Sequence, residues 1–441
     1  MPVNVKQILS IFQNEGYEAY IVGGCVRDSL LNREINDWDI CTSAKPEQMV
    51  EICKKMNLKY VPTGLKHGTI TILISNVGYE VTTFRIDGDY SDNRHPNNVE
   101  FTSNLREDLS RRDFTINAMA YNEFAGLIDP FLGYEDLKNK IIKCVGNPKD
   151  RFKEDALRMM RAVRFSCQLG FVLNEDVFNS ITILNENIKY ISKERIRDEF
   201  CKILISNNAV KGICNLMDTY LMENIIPELN KCVAFNQHNK HHDQDVFKHT
   251  LSVVENISPK LELRLAALLH DIGKPECFTI DSKGEGHLIG HNQISADKAR
   301  GILNRLKFDN KTIDKVCLLV YEHMSKHELL NNKTKKKFIN RVGTDNLDDL
   351  FELQIADIKA SAKEYQDFSQ VLKLKEDCRR ILTEKEPLKI KDLKINGNDL
   401  IKLGINPGKE VGLILNSLLE EVLEDPGINE REKLLEIVKA R

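Results

Sequence analysis

Near Lys140 the hydrophobic pattern of this chain changes period, and that change constrains its architecture more than any other feature. Before it, AYIVGG, DWDICT, TITILI and YEVTTF are short runs rich in β-branched and aromatic residues. They alternate with stretches such as SAKPEQMVEICKKMN, whose apolar residues recur nearer the helical period. After it, strand signals nearly vanish and apolar residues recur at three and four, as in EDALRMMRAVRFSCQLGF and ISKERIRDEFCKILI. The pattern predicts a multidomain chain: an α+β head, with a mixed sheet and flanking helices, followed by all-α regions. Its 441 residues suit about three domains by length. The composition shifts divide them more finely, into a head (1–139), a helical neck (140–230), a histidine-rich unit (231–370) and a helical tail (371–441).

Charge narrows the function classes. Lys and Arg number 63 against 66 Asp and Glu, a formal net charge of −3. A protein that coats polyanions needs clustered cations to neutralise phosphates, and no segment here is a basic arm. Any nucleic acid partner must be gripped by individually placed residues. The 11 cysteines are odd in number and contain no CxxC pair, which predicts neither a disulfide framework nor a cysteine zinc site. A reducing cytoplasm is the expected location. The first twenty residues hold no apolar core of signal-peptide length, and no apolar run approaches the roughly 20 residues that cross a bilayer. Neither secretion nor membrane spanning is expected.

The chemistry concentrates first in GGCVRDSLLNREINDWDICT. Gly23 and Gly24 follow a predicted strand, and Arg27 and Asp28 open a helix. Glycines at such a junction let backbone approach a phosphate, helix-terminal N–H groups face it, and Arg27 adds a charge one turn in. Asp37 and Asp39 flank Trp38, so on a strand both carboxylates share one face. Two hard oxygen ligands side by side suit Mg²⁺, which keeps water and substrate phosphates as its other ligands. Each element alone is common in turns and solvated edges; together within a few turns of chain they are specific.

This string resembles the head signature of the nucleotidyltransferases related to DNA polymerase beta, in the branch that holds the bacterial CCA-adding enzymes and poly(A) polymerases. Further segments match that branch in order: RRDFTINAMA (111–120), LIDPFLGYEDL (127–137), EDALRMMRAVRF (154–165) and ISKERIRDEF (191–200). DLIKLGINPGKEVGLIL near the end resembles the C-terminal region of the same enzymes. The resemblance implies a nucleotidyltransferase head with Asp37 and Asp39 as catalytic Mg²⁺ ligands, ATP and CTP as substrates, and the tRNA 3′ end and elbow as the nucleic acid partner. Glu80 in YEVTTF is a candidate third carboxylate. The matching residues imply that Arg112 and Asp113 contact the phosphate and ribose of the nucleotide. No membrane and no protein partner are implied.

Base choice has its own candidates. Asp155 and Arg158 lie three apart on a strongly helical stretch and so share a face. An Asp accepting from an exocyclic amine, beside an Arg donating to the ring nitrogen, fits the edge common to cytosine and adenine and mismatches uracil and guanine. An ordinary helical ion pair is the alternative from the residues alone; the family resemblance implies the base-reading role. Arg161 and Arg164 continue the spacing as a drifting stripe suited to a base, a triphosphate and the primer backbone. A solvated basic face is the other reading of that stripe.

Between the head strands and RRD, DGDYSDNRHPNNVEF (87–101) resembles the loop of CCA-adding enzymes associated with the switch from CTP to ATP. It favours complete CCA addition, and deleting residues 89–96 is expected to spare CTP incorporation and impair AMP incorporation. An A-adding enzyme or poly(A) polymerase of the same family is the alternative, although the neutral tail lacks the basic extension expected of the latter.

Nine of the 11 histidines fall between His238 and His327. His249, the adjacent His270 and Asp271, His291, His323 and Asp357 occur in the order expected of an HD phosphohydrolase. Imidazole and carboxylate ligands from packed helices can hold one or two transition-metal ions, Ni, Mn or Co, that activate water against a phosphate ester. The remaining alternative makes this metal-dependent phosphohydrolase the main activity. His238, His241 and His242 are expected at solvated or accessory positions.

Overall fold

The computed structural model describes residues 1–88, 99–238, 244–325 and 331–440. The chain divides into two compact units, Met1–Pro227 and Glu228–Arg441.

The first unit carries a seven-stranded sheet. Its strands are β1 (Ala19–Val22), β2 (Ile40–Thr42), β3 (Lys59–Gly64), β4 (Thr69–Ile74) and β5 (Val77–Thr83), completed, beyond a separate hairpin of β6 (Arg85–Asp87) and β7 (Val99–Phe101), by β8 (Ala120–Asn122) and β9 (Gly126–Ile128). Their order is β3-β4-β5-β2-β1-β8-β9. Only β2 and β5 are parallel among these neighbours, so the sheet is mixed, as the pattern predicts.

All four residues of β1 are buried because both faces of the sheet are covered. Ala19 and Ile21 join Phe12 and Met49, which come from the helices Val3–Asn14 and Pro46–Lys55. Tyr20 and Val22 point the other way, into a cluster with Phe84, Leu109 and Ala118. Each large apolar side chain fully buried in this way contributes roughly 1.5–3 kcal/mol. The sheet is thereby a rigid floor for the residues at its strand ends.

Two sequence expectations need correction. DWDICT is strand only from Ile40; Asp37 and Asp39 precede β2, tied to the sheet by the Val22 N–H donating to the Asp39 carbonyl at 3.0 Å. The stretch through EDALRMM is not one helix either. A helix Pro148–Glu154 ends at Asp155, whose backbone is extended (φ −140°, ψ 105°), and a second helix runs Leu157–Leu169. Asp155 Oδ1 accepts the Leu157 N–H at 3.0 Å, so the aspartate caps the second helix instead of continuing the first. Asp155 and Arg158 therefore do not share one helical face. The strand signal does fade after Lys140, leaving only a two-residue pair in this unit, β10 (Ile141–Ile142) with β11 (Val172–Leu173).

Among its described residues the second unit has helices and one short strand pair, β12 (Thr279–Ile280) and β13 (Gly286–His287). Its C-terminal part packs Leu400, Leu418, Val422 and Leu434 into a core of their own. Among the described residues no helix is long and apolar enough to cross a membrane. Residues 89–98 of the expected switch loop, and His241, His242 and His327, lie outside the described residues.

Candidate active site

Asp39 opens onto a cavity of about 220 Å³ lined by Thr69, Glu80, Thr82, Arg85, Asp108, Arg111 and Arg112. Crowding by protein raises the Asp39 carboxyl above its usual range; Arg112 opposes this, while Glu80 and Asp37 add to it. Asp39 and Glu80 at one cavity, with Asp37 close enough to act on Asp39, are a fit for a divalent cation. Among the described residues, Asp37, Asp39 and Glu80 do not bring one oxygen each within 4.8 Å of one another.

Gly23 serves this cavity in a way the motif did not reveal. Its φ of +79° is the left-handed region that glycine adopts without strain, and a Cβ there would stand 3.0 Å from Arg112 Nη1. Arg112 in turn donates to Asp108 Oδ2 at 3.2 Å, and Arg111 donates to Asp108 Oδ1 at 2.7 Å. Burial pushes the Asp108 carboxyl up, but the two guanidiniums outweigh it and hold it below its usual range. Gly24 begins the short helix Gly24–Leu30 as expected. Arg27 is buried, donates to Asn117 Oδ1 at 2.6 Å and pairs with Asp28 at 2.7 Å.

Every expected neck residue meets a charged partner, in pairings the spacing did not predict. Arg161 donates twice to Asp113 Oδ2, at 2.8 and 2.6 Å, while Asp113 Oδ1 accepts from Asn117 and from the Phe114 N–H. Burial raises the Asp113 carboxyl, yet Arg161, Asn117 and Arg158 overcome it and bring it down to about 2. Arg164 pairs with Glu199 at 2.8 Å, and Arg195 donates to Asp155 Oδ2 at 2.9 Å. Arg158 is held by Glu154 and by the carbonyls of Arg151 and Arg111. Arg195 thus holds Asp155, while Glu154 and two backbone carbonyls hold Arg158.

Arg195 and Glu199 are the residues sequence reasoning missed. Both stand four apart on the helix Lys193–Leu204, inside the ISKERIRDEF segment, and that i,i+4 spacing was the available signal. Phe165 completes the arrangement, with the guanidiniums of Arg27, Arg161 and Arg164 over its ring at 5.1, 5.4 and 4.2 Å.

The histidines of the second unit converge without ambiguity. His249 lies on the helix Val246–Glu255, His270 and Asp271 follow Leu261–Leu269, His291 opens His291–Arg305, His323 caps Asn310–Glu322, and Asp357 lies on Leu347–Lys359. Ligand atoms of His249, His270 and Asp271 lie within 4.8 Å of one another, as do those of Asp271, His291 and His323. Asp271 joins the two sets: its Oδ2 is 3.6 Å from His249 Nε2 and 3.1 Å from His270 Nε2, and its Oδ1 is 3.5 Å from His291 Nε2 and 3.8 Å from His323 Nε2. Asp357 Oδ1 adds to the first set, 3.1 Å from His249 Nε2. His238 and His287 are exposed, and His287 pairs with Asp281.

A mixed sheet presenting Asp39, two residues after Asp37, to a cavity rimmed by arginines, followed by helices that hold Asp155 and Arg158, defines a nucleotidyltransferase of the poly(A) polymerase head type. The "Poly A polymerase head domain" family matches residues 19–143, the polymerase A RNA and SrmB-binding family matches 170–232, and the tRNA nucleotidyltransferase domain 2 family matches 287–438. The CCA-adding enzyme of Ligilactobacillus salivarius is 36% identical over 434 residues, covering 98% of this chain and 95% of that protein. That of Oceanobacillus iheyensis is 43% identical over 257 residues, 58% of this chain and 60% of its own. The crystal structure of the Bacillus stearothermophilus CCA-adding enzyme in complex with CTP superposes with a TM-score of 0.73 at 29% identity, covering 100% of this chain and 99% of that one. The chain belongs to the CCA-adding enzyme family, and it is an enzyme of nucleotidyl transfer whose family implies a divalent metal ion.

Proposed function

We propose that this protein adds C, C and A in turn to the 3′ end of tRNA, taking CTP and ATP without a nucleic acid template and releasing pyrophosphate. The observation that carries the reading is the presence in one unit of two sets of residues: Asp39, two residues after Asp37, at a cavity, and Asp155 and Arg158 held by Arg195 and Glu154. Mg²⁺, held by Asp37 and Asp39, would activate the tRNA 3′-hydroxyl and neutralise charge developing on the α-phosphate. The chain itself supplies the rest. Arg112, adjacent to Gly23 and anchored by Asp108, provides a cationic wall for phosphate oxygens. Asp155 accepts the exocyclic amine of cytosine or adenine, and Arg158 donates to the neighbouring ring nitrogen. Because Arg195 and Glu154 hold these two side chains in place, little ordering remains to be done when the nucleotide arrives. Asp113 acts one step back, orienting Arg161.

The test is to offer tRNA ending before CCA with labelled CTP, ATP or both, and to sequence the products. Stepwise CCA supports the reading; CC alone or A alone indicates a partial activity, and a long A tract a poly(A) polymerase. The free state of all eleven cysteines supports a reducing cytoplasm as the site of action.

The histidine cluster supports a second reading, a two-cation centre of the HD type. Each of the four histidines directs Nδ1 at a backbone carbonyl: Ala360 at 3.3 Å, Ala267 at 2.8 Å, Leu288 at 2.8 Å and Val320 at 2.6 Å. A carbonyl only accepts, so each Nδ1 carries a proton and Nε2 is the ring nitrogen left to meet a metal ion or the neighbouring carboxylates. His249 and His270 then face each other Nε2 to Nε2 at 3.4 Å, and His291 and His323 at 3.3 Å. Imidazole nitrogens gathered in two pairs at that distance, with Asp271 between them, suit a cation at each pair. The mixed imidazole and carboxylate donors suit Ni, Mn or Co. Such ions, when bound, would activate water.

A further inference from the structure

Arg112 stands within reach of two carboxylates and pairs with one of them. Its Nη2 donates to Asp108 Oδ2 at 3.2 Å, and its Nη1 is the atom that a Cβ on Gly23 would meet at 3.0 Å. Its Nε is buried without an acceptor. The same side chain lines the cavity with Asp39, where burial raises the Asp39 carboxyl and Arg112 opposes the rise. Among the described residues, however, the ion pair of Arg112 is with Asp108 and not with Asp39. Asp108 is fixed from other sides as well. It lies on the helix Leu105–Ser110, is 1% exposed, and accepts on Oδ1 from the Arg111 guanidinium at 3.0 and 2.7 Å and from the Arg85 N–H at 3.3 Å.

The charges explain what this anchorage is for. A guanidinium at a cavity that holds several carboxylates settles on the one that offers hydrogen bonds at least desolvation cost. With Asp108 ionised beneath it, that carboxylate is Asp108. Without that charge the next anion along the cavity wall is Asp39. An arginine paired with Asp39 would set a like charge at the position a divalent cation needs, and would turn its donors away from phosphate oxygens. One misplaced guanidinium thus weakens both halves of the site.

Resting on the reading of Asp37 and Asp39 as the cation ligands, we propose that Asp108 is a positioning residue that keeps Arg112 off Asp39. Arg112 then serves the triphosphate, and the cation position stays open. Asp108 acts through Arg112, so its effect disappears when Arg112 loses its charge.

The experiment reads the cation position of the head directly in the full chain. Fe²⁺ with ascorbate and peroxide cuts a chain beside the bound ion, and fragments ending near Asp37 and Asp39 report this position apart from the histidine cluster. Asp108→Asn is expected to raise the Fe²⁺ concentration for half-maximal cutting there at least about fivefold, and the Mg²⁺ concentration for half-maximal nucleotide addition by a similar factor. KM rises about tenfold for CTP and ATP alike, and saturating Mg²⁺ restores most of kcat. Arg112→Gln alone raises both KM values while its cation requirement stays at or below that of the parent. In Asp108→Asn with Arg112→Gln the cation requirement returns to within about twofold of the parent and KM stays raised. Asp108→Asn with Arg111→Gln, of the same net charge, does not recover. Failure of the first pair to recover, or equal recovery in both, overturns the proposal and leaves the cation reading standing. Should Asp108→Asn not fold, Arg112→Gln carries the test, since weaker Fe²⁺ binding in that variant also overturns the proposal. Absence of cutting near Asp39 in the parent overturns the cation reading and the proposal together.

Discussion

Arg195 Nη2 donates to Asp155 Oδ2 at 2.9 Å across forty residues of chain, and Asp155 Oδ1 at the same time caps the helix that begins at Leu157. The carboxylate assigned to base reading is therefore held at both oxygens before any nucleotide binds. Removing Arg195 frees Asp155 to rotate while leaving the aspartate pair of the head untouched. Arg195→Met is expected to raise KM for both CTP and ATP and to increase UTP and GTP misincorporation by about 10- to 100-fold, the size of one good paired contact. Arg195→Lys recovers part of the loss. Single-turnover incorporation of each nucleotide alone makes the comparison, and unchanged selectivity with lowered kcat would assign Arg195 a purely structural role.

Asp37 and Asp39 differ in setting, yet the reaction is expected to need both. Asp39 lines the cavity with Arg112, and crowding already raises its carboxyl. Asp39→Asn and Asp37→Ala should each reduce nucleotide addition by at least about a thousandfold, the scale of a lost electrostatic contribution. Binding of tRNA, measured by filter retention, should change less than about threefold. A matching loss of tRNA affinity would show that the pair acts in RNA binding.

How far the sequence reached depends on the range of the interaction. The seven-stranded sheet was legible where strands are short and β-branched, as in β1, β4 and β5, because that pattern is local. The break at Asp155 was not, since an Asp followed by a strong helical pattern reads as one helix until the Asp155 side chain is seen capping Leu157. The HD ligands were legible in their order and converge as expected. Arginines were legible as a series, but their carboxylate partners Asp113, Glu154 and Glu199 come from three different segments, and only the fold pairs them.

Asp113 also predicts acid sensitivity. Its folded carboxyl lies at about 2 against an unperturbed 3.8, and the group is 8% exposed, so screening by solvent is small. A lowered carboxyl contributes stability that is present above about 3.8 and is lost as pH falls toward about 2. The shift corresponds to roughly 2 kcal/mol. Asp113→Asn should thus lower the unfolding free energy at pH 7, read from urea titration, by about that amount, and the gap from the parent should narrow as pH falls from 4 to 3. A gap independent of pH would place the effect in packing rather than in the Arg161 pair.

Gly133 tests the backbone that carries the RRD segment. A Cβ there would lie 2.1 Å from the Thr115 carbonyl oxygen and 3.1 Å from Met119 Cγ, and the carbonyl cannot yield without moving the turn that follows Asp113. Overpacking against backbone costs upwards of about 2 kcal/mol. Gly133→Ala should lower the thermal midpoint of the first unit by several degrees, whereas Gly126→Ala, with nothing within 4 Å of its added carbon, should cost only the strain of its positive φ. Equal midpoints for the two variants would refute the close approach.

The arrangement around Asp271 makes a stoichiometric prediction. Oδ2 faces His249 and His270, and Oδ1 faces His291 and His323, so each histidine pair has one oxygen of the shared carboxylate. If each Nε2 pair holds its own cation, removing one pair should empty one position and spare the other. Native mass spectrometry of the chain saturated with Mn²⁺ or Ni²⁺, in the Asp37→Ala and Asp39→Ala background, should count two ions in the parent. It should count one in His291→Ala with His323→Ala, one in His249→Ala with His270→Ala, and none held tightly in Asp271→Asn, where the bridge itself has lost its charge. Two ions surviving in Asp271→Asn would mean that the carboxylate is a neighbour of the centre and not its bridge.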